Sequence, residues 1–353
     1  MVKKMSTIML SLLSFCLLSL GIAAQSVSAP CTPSFGAAQN ESFAVGAARS
    51  AMIDFDGDGK ADLITVDSNG VPSTRFKTEN GFSEPVVSDY IQGLYHPTAI
   101  AVGYFDGDYI DGKFVVNKYP DIAVATAEGG VYLLTSDPYG YFSFRGTPVM
   151  QGFYAALAAV DFNKDGMSDL IAVDVAGGAV VQFSQADGNW GDFAYTPTAA
   201  SAYATGEVPL SASLGYFDVV LTDGNLVAND SPDLAVLTSQ GRVLLYTTDA
   251  AGYFTVRETN FGLLFAEVLA ADFNQDGRTD LLAKDAAGTV YVLMRQANGD
   301  FDAPHAIGNE QVASLIGAQD INGDGSLDIV ATLGEDAHFV WFGNTPASCQ
   351  VTP

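Results

Sequence analysis

"DFNKDGMSDL", residues 161–170, places Asp161, Asn163, Asp165 and Asp169 at positions 1, 3, 5 and 9 of a nine-residue stretch, with Gly166 at position 6. Alternate side chains in such a stretch, joined by the main-chain carbonyl of position 7 (Met167), can converge on one point, and glycine at position 6 permits the sharp bend that brings them there. All-oxygen ligation selects a hard cation, and Ca2+ fits best. Without one, so many neighbouring carboxylates would repel each other. The stretch therefore reads as a loop that holds an ion and ties two strands together.

It returns three times. "DFDGDGKADL" (54–63) offers Asp54, Asp56, Asp58, the Lys60 carbonyl and Asp62; "DFNQDGRTDL" (272–281) offers Asp272, Asn274, Asp276, the Arg278 carbonyl and Asp280; "DINGDGSLDI" (320–329) offers Asp320, Asn322, Asp324, the Ser326 carbonyl and Asp328. Two altered copies end in "NKYPDIAV" (117–124) and "NDSPDLAV" (229–236). In them Tyr104 and Tyr216 stand at position 1, Asp106 and Asp218 at position 3, Asn117 and Asn229 at position 5, and Asp121 and Asp233 at position 9, with nine residues inserted in each. The sequence leaves open whether these two bind metal, and the insertions should lengthen loops on one face. An EF-hand is excluded: the flanks are strand-like, and position 12 holds Thr65, Ala172, Ala283 and Ala331 rather than glutamate.

The last aspartates of the six units are spaced by 59, 48, 64, 47 and 48 residues, and a period near 48 is the size of a four-stranded propeller blade. Each loop leads into an apolar segment such as "DLIAVD", then a glycine, then a β-rich run such as "VYLLTSD" from 131 or "VLLYTTD" from 243. A glycine-aromatic start follows, ending at Phe82, Phe142, Phe193, Phe254 and Phe301, and reads as the fourth strand. The last unit stops after "FVWFGN", its third strand, while the chain begins with an unaccompanied "SFGAAQ" (34–39). The N-terminal strand should complete the last blade. The expected fold is all-β, a six-bladed β-propeller with seven blades as the alternative.

Lys3 and Lys4, the apolar stretch Ile8–Ile22 and small residues near Ala24 have the layout of a secretory signal peptide, residues 1–24, followed by one domain over 25–353. Secretion, to the periplasm or beyond, is the expectation. Cys16 would leave with the leader, and Cys31 and Cys349 would remain at the two extremities, where an oxidising compartment lets them pair as a ring clasp. The chain has 15 Lys and Arg against 41 Asp and Glu, a formal charge of −26, which excludes nucleic acid and anionic membrane surfaces as partners and favours cations. With 48% apolar and 16% charged residues it can bury a large core.

The loops, the Gly-x-Phe starts and the period resemble the FG-GAP/VCBS repeats of integrin α-subunit propellers and many secreted bacterial proteins, over about residues 34–343. The resemblance implies a calcium-stabilised propeller with metal loops at Asp54–Asp62, Asp161–Asp169, Asp272–Asp280 and Asp320–Asp328. Two departures stand out: the literal Phe-Gly…Gly-Ala-Pro signature is degenerate here, and integrin propellers have seven blades. Such repeats serve adhesion proteins, lectins and enzyme-associated domains alike.

Catalysis finds little support in the residues. His96, His305 and His338 fall in different units, and spacing assembles no Ser/His/Asp or Cys/His arrangement. Tyr139, Tyr141, Trp190, Tyr195, Tyr203 and Tyr253 lie near turns or fourth strands, where they could form a sugar or peptide platform or pack between blades. The expected function is a monomeric, non-enzymatic binding or adhesion module for a glycan or protein ligand. The alternatives are a lyase-like polysaccharide enzyme and a structural subunit of a surface assembly.

Overall fold

A computed structural model of the chain describes residues 34–344 apart from 36–38, 42–46, 80, 92–93, 186–188, 198–202, 223–224, 229–230, 309, 334–337 and 342. The leader, Cys31, Cys349 and Asn229 lie outside the described residues. Among the described residues no helix is long and apolar enough to cross a membrane.

Five blades are built from contiguous chain, each a four-stranded antiparallel sheet. Their strands are Ala47–Ile53, Asp62–Asp67, Pro72–Arg75 and Val86–Val87 in blade 1; Pro97–Gly103, Asp121–Thr126, Val131–Ser136 and Phe142–Phe144 in blade 2; and Tyr154–Val160, Asp169–Asp174, Ala179–Ser184 and Trp190–Thr196 in blade 3. Blade 4 has Pro209–Gly215, Asp233–Thr238, Val243–Thr248 and Phe254–Glu258; blade 5 has Phe265–Ala271, Asp280–Asp285, Val290–Leu293 and His305–Ile307. This corrects the expected count of six or seven, because the last unit has no fourth strand of its own. Its Ser314–Gln319, Asp328–Thr332 and His338–Trp341 take Gln39–Glu41 from the other end of the chain as the outer strand. The chain is a β-propeller whose closing sheet is assembled from both termini.

The second strand of every sheet is buried along almost its whole length, as in Asp169–Asp174 and Asp233–Thr238. A sheet covered on both faces buries every position of its middle strands, so these segments read as apolar runs and lose strict alternation. Six hydrophobic clusters each bridge two neighbouring sheets. The closing sheet is held to blade 1 by Ala61, Leu63, Ile321 and Val330. The first strands of all the sheets line one central channel of about 390 Å³, with Arg49, Thr98, Ser211, Glu267 and Ser314 among its walls.

The fourth strands depart from expectation in a regular way. In blades 2, 3 and 4 the strand includes Phe142, Phe193 or Phe254, as the sequence suggests. Elsewhere the aromatic residue makes a short ladder of its own, Phe82 with Lys77, Phe301 with Arg295 and Phe35 with Gly343. The outer strand then starts four residues later, at Val86, His305 and Gln39. The closing strand is therefore Gln39–Glu41, not residues 34–39. Phe35 meets Phe273 edge-on, with ring centroids 6.4 Å apart, and packs into the cluster between blade 5 and the closing sheet.

The two insertions fold as β-hairpins, Gly107–Ile110 with Lys113–Val116 and Val219–Thr222 with Asn225–Ala228. The first turns through Asp111 and Gly112, both at positive φ (52° and 76°), as a two-residue hairpin turn requires.

Candidate functional site

The glycine at position 6 has positive φ in all four regular loops: Gly59 86°, Gly166 93°, Gly277 81° and Gly325 85°. No neighbour lies within 4 Å of an added Cβ at any of them, so backbone conformation rather than space demands glycine. Position 4 is left-handed too, at Gly57 and Gly323 but also at Lys164 and Gln275. With both bends in place, the position-1 carboxylate collects backbone N–H groups. Asp161 accepts from Asp165 and Gly166 (3.0 and 2.8 Å), Asp320 from Gly323, Asp324 and Gly325, Asp272 from Asp276 and Gly277, and Asp54 from Gly57 and Gly59.

Asp54, Asp56 and Asp58 each turn one carboxylate oxygen into a common space, all within 4.8 Å of one another, the spacing a hard cation needs. In the other three loops position 3 is asparagine. Asn163, Asn274 and Asn322 donate their side-chain amides to Asp165, Asp276 and Asp324, and their own carbonyl oxygens accept from the N–H of those same aspartates. Two loops also carry a cation at position 7: Lys60 pairs with Asp58 at 2.9 Å, and Arg278 with Asp276. The Met167 and Ser326 N–H groups donate to Asp165 and Asp324.

The position-9 aspartates form a distinct class. Asp62, Asp121, Asp169, Asp233, Asp280 and Asp328 are all essentially inaccessible. In every case Oδ2 accepts from the N–H of the buried position-2 residue: Phe55, Phe105, Phe162, Phe217, Phe273 or Ile321. Oδ1 accepts from the N–H fifteen residues later: Lys77, Ser136, Ser184, Thr248, Arg295 or Gly343, at 2.7 to 2.9 Å. One side chain thus ties the loop's entry to the end of the third strand. Burial pushes these carboxyls up, to about 6 for Asp62, Asp233 and Asp328, about 7 for Asp121 and about 8 for Asp280. The sequence places Asp62, Asp169, Asp280 and Asp328 among the metal ligands and leaves Asp121 and Asp233 open; the structure gives all six a task that requires no metal.

A groove of about 570 Å³ opens between blades 2 and 3 at the end away from the acidic loops. Phe153, Phe193 and Tyr195 present their rings there at 55%, 65% and 45% exposure. Phe193 and Tyr195 share a face because they are two apart on one strand. Asp174 lies among them and accepts from the Tyr195 hydroxyl at 3.1 Å, and Gln182 completes the polar wall. Of the aromatic residues flagged in the sequence, Tyr139, Tyr141, Tyr195 and Tyr253 are exposed. Trp190 packs on the core with Phe105 at 6.0 Å, and Tyr203 is bound through its hydroxyl to Tyr246 at 2.6 Å. Phe153 escaped notice because it sits in an inter-blade connector with no repeat signature. His96 is exposed and contacts Glu128 at 2.9 Å.

An FG-GAP-like repeat model matches residues 272–331, the stretch holding the third and fourth regular loops. No curated protein matches significantly. Among solved structures, the BP39L lectin from Burkholderia pseudomallei is similar at a TM-score of 0.54 and 17% identity, covering 85% of this chain and 98% of that one. BBS1N, solved in complex with ARL6DN, is similar at 0.51 and 13%, covering 92% and 100%. At these identities the likeness concerns the fold.

Proposed function

We propose that this FG-GAP repeat β-propeller is a secreted, calcium-stabilised, non-enzymatic binding module, and that its ligand is a glycan held in the groove between blades 2 and 3. The observation that carries the reading is the exposure of Phe153, Phe193 and Tyr195 around a concave surface. Three large rings left in water on one wall are costly unless something covers them, and a pyranose offers apolar C–H faces to rings and hydroxyls to a carboxylate and an amide such as Asp174 and Gln182. A lectin among the solved structures of this fold is compatible with such a use.

Calcium belongs to the four regular loops in this reading. Buried position-9 carboxylates with raised pKa values, beside further acidic groups at positions 1, 3 and 5, would gain from a neutralising divalent ion. The closing sheet, assembled from both ends of the chain, completes the ring, and a Cys31–Cys349 disulfide clasps it. The support for the clasp is that Ser34 pairs with Asn344 in the last ladder. The protein works as a monomer outside the cytoplasm.

The test is to screen the chain from residue 25 onward on a glycan array, with calcium and with chelator, beside Phe193→Ala. The reading expects calcium-supported glycan hits that weaken at least tenfold in the variant, roughly what loss of a stacking ring removes. No hits, or hits indifferent to Phe193→Ala, would refute it.

A further inference from the structure

Repeats 2 and 4 part from the other four at the same two places, with tyrosine at position 1 (Tyr104, Tyr216) and proline at position 8 (Pro120, Pro232). Both also carry a hairpin. A guanidinium stands at each altered loop. In repeat 2, Arg145 Nη2 donates to Asp106 Oδ2 at 2.7 Å, and the Asn117 side-chain amide donates to Asp106 Oδ1. The Asp106 side chain is only 17% exposed. Arg145 follows the fourth strand of blade 2, so this pair ties the loop to the outer edge of its own blade.

In repeat 4 the guanidinium is Arg295, which is 2% exposed and comes from blade 5. It donates through Nη2 to the Phe217 carbonyl, beside position 3 of the loop. It also lies near the rings of Phe217 and Phe301, at 5.7 and 5.2 Å from their centroids. Its Nε and Nη1 and the Asp218 Oδ1 are buried without a hydrogen-bond partner among the described residues, so this guanidinium meets the loop through a main-chain carbonyl and not through a carboxylate.

Each altered loop is also docked on the next blade. The Tyr104 N–H donates to Ser168 Oγ at 3.0 Å and the Ser168 N–H returns a bond to the Tyr104 carbonyl at 2.9 Å; the Tyr216 N–H donates to Thr279 Oγ1 at 3.0 Å. Ser168 and Thr279 occupy position 8 of the loops that follow the altered ones, where the other regular loops have Ala61 and Leu327. A hydroxyl is present where a preceding altered loop must be held.

We infer that in repeat 2 a guanidinium does the work of the cation, so that this loop closes without metal and its hairpin stands on a calcium-independent base. A divalent ion at Asp106 would have to displace Arg145 from a partly buried carboxylate, and no position-1 carboxylate is there to compensate. The exposed Tyr109, Ile110 and Val115 on the first hairpin would then keep their placement when calcium is withdrawn.

Two measurements on the full secreted chain decide this. Urea unfolding in chelator of the wild type, Asp106→Asn, Arg145→Gln and the double variant should show a coupling of about fivefold in the unfolding constant, as for a favourable, partly screened ion pair. Strictly additive effects would overturn the inference. Direct counting of bound calcium should give the same number for wild type and Asp106→Asn, and one ion fewer in the variant would also overturn it. The comparison with the regular loops rests on the calcium reading above, and the two can fail separately. A count of zero in both proteins sinks calcium binding, while the coupling in chelator still decides the arginine latch.

Discussion

Replacing Asp169 with alanine separates the two tasks that the acidic loops combine. Asp169 Oδ2 accepts from the Phe162 and Asn163 N–H groups at 2.9 and 3.2 Å, and Oδ1 accepts from the Ser184 N–H at 2.7 Å and its hydroxyl at 3.1 Å. The residue is fully buried, so water cannot replace it at those donors. Each buried N–H left without a partner costs about 1–3 kcal/mol, and with at least two stranded the loss should be about 3–5 kcal/mol. Asp165→Ala in the same loop is the control. Asp165 is exposed and accepts from Met167 N–H and the Asn163 amide, and its loss in the absence of metal should cost about 1 kcal/mol or less. The assay is urea unfolding in chelator, comparing midpoints at unchanged slope. Asp169→Asn should fall between, since it keeps one acceptor but turns an N–H2 toward a donor. If Asp169→Ala and Asp165→Ala unfold at the same urea concentration in chelator, the buried carboxylate is not the tie the hydrogen bonds describe.

Calcium at about a hundred times its dissociation constant should add about 2.7 kcal/mol for each occupied loop, seen as a rise in Tm that Asp54→Ala and Asp161→Ala each reduce and chelator abolishes. Glu207 gives a pH dependence that requires no metal. Hydrogen bonds from the Arg242 guanidinium, followed by those from Thr238 and the Ala204 N–H, hold its carboxyl down at about 2 instead of 4.5. A depressed folded value stabilises above the unfolded pKa, so about 3 kcal/mol present at pH 5 should drain away as pH falls from 4.5 toward 2, and Glu207→Gln should flatten that limb of the acid-unfolding curve. Reduction of the proposed Cys31–Cys349 bond should lower stability by up to about 5 kcal/mol on the loop-closure model, read as a Tm drop on adding reductant that Cys349→Ser removes.

The repeat architecture was legible because its signals are side-chain identities in a fixed register: acidic loop, apolar run, glycine, aromatic start. Closure by the N-terminal segment was legible for the same reason, since Phe35 stands where Phe82 and Phe301 stand. The outer strands were misplaced in blades 1 and 5 and in the closing sheet because Phe82, Phe301 and Phe35 pair in short ladders before the strand begins, a main-chain event with no residue signature. The task of the position-9 aspartates was hidden in the same way. Their partners fifteen residues on are Lys, Ser, Ser, Thr, Arg and Gly, since only a backbone N–H is used and any residue supplies one. Arg145 and Arg295 could not be assigned from spacing, because Arg145 lies 39 residues from Asp106 and Arg295 lies 78 from Phe217, so only the folded ring brings each to its loop. Phe193 was visible as the aromatic start of a fourth strand, and only its exposure marks it as a groove wall.

The seam of the ring runs inside a sheet rather than between sheets. From the termini inward the paired residues are Ser34 with Asn344, Phe35 with Gly343, Gln39 with Val340, Asn40 with Phe339 and Glu41 with His338. Tension applied to the two ends therefore meets the ladder at its open end and breaks one pair at a time, like a zipper, instead of shearing all of them at once. A ring that resists heat well could still be opened by a modest pull. A covalent link between the flanks outside Ser34 and Asn344 would stop the peel before its first pair, which gives a terminal clasp a mechanical purpose beyond its effect on the unfolding equilibrium.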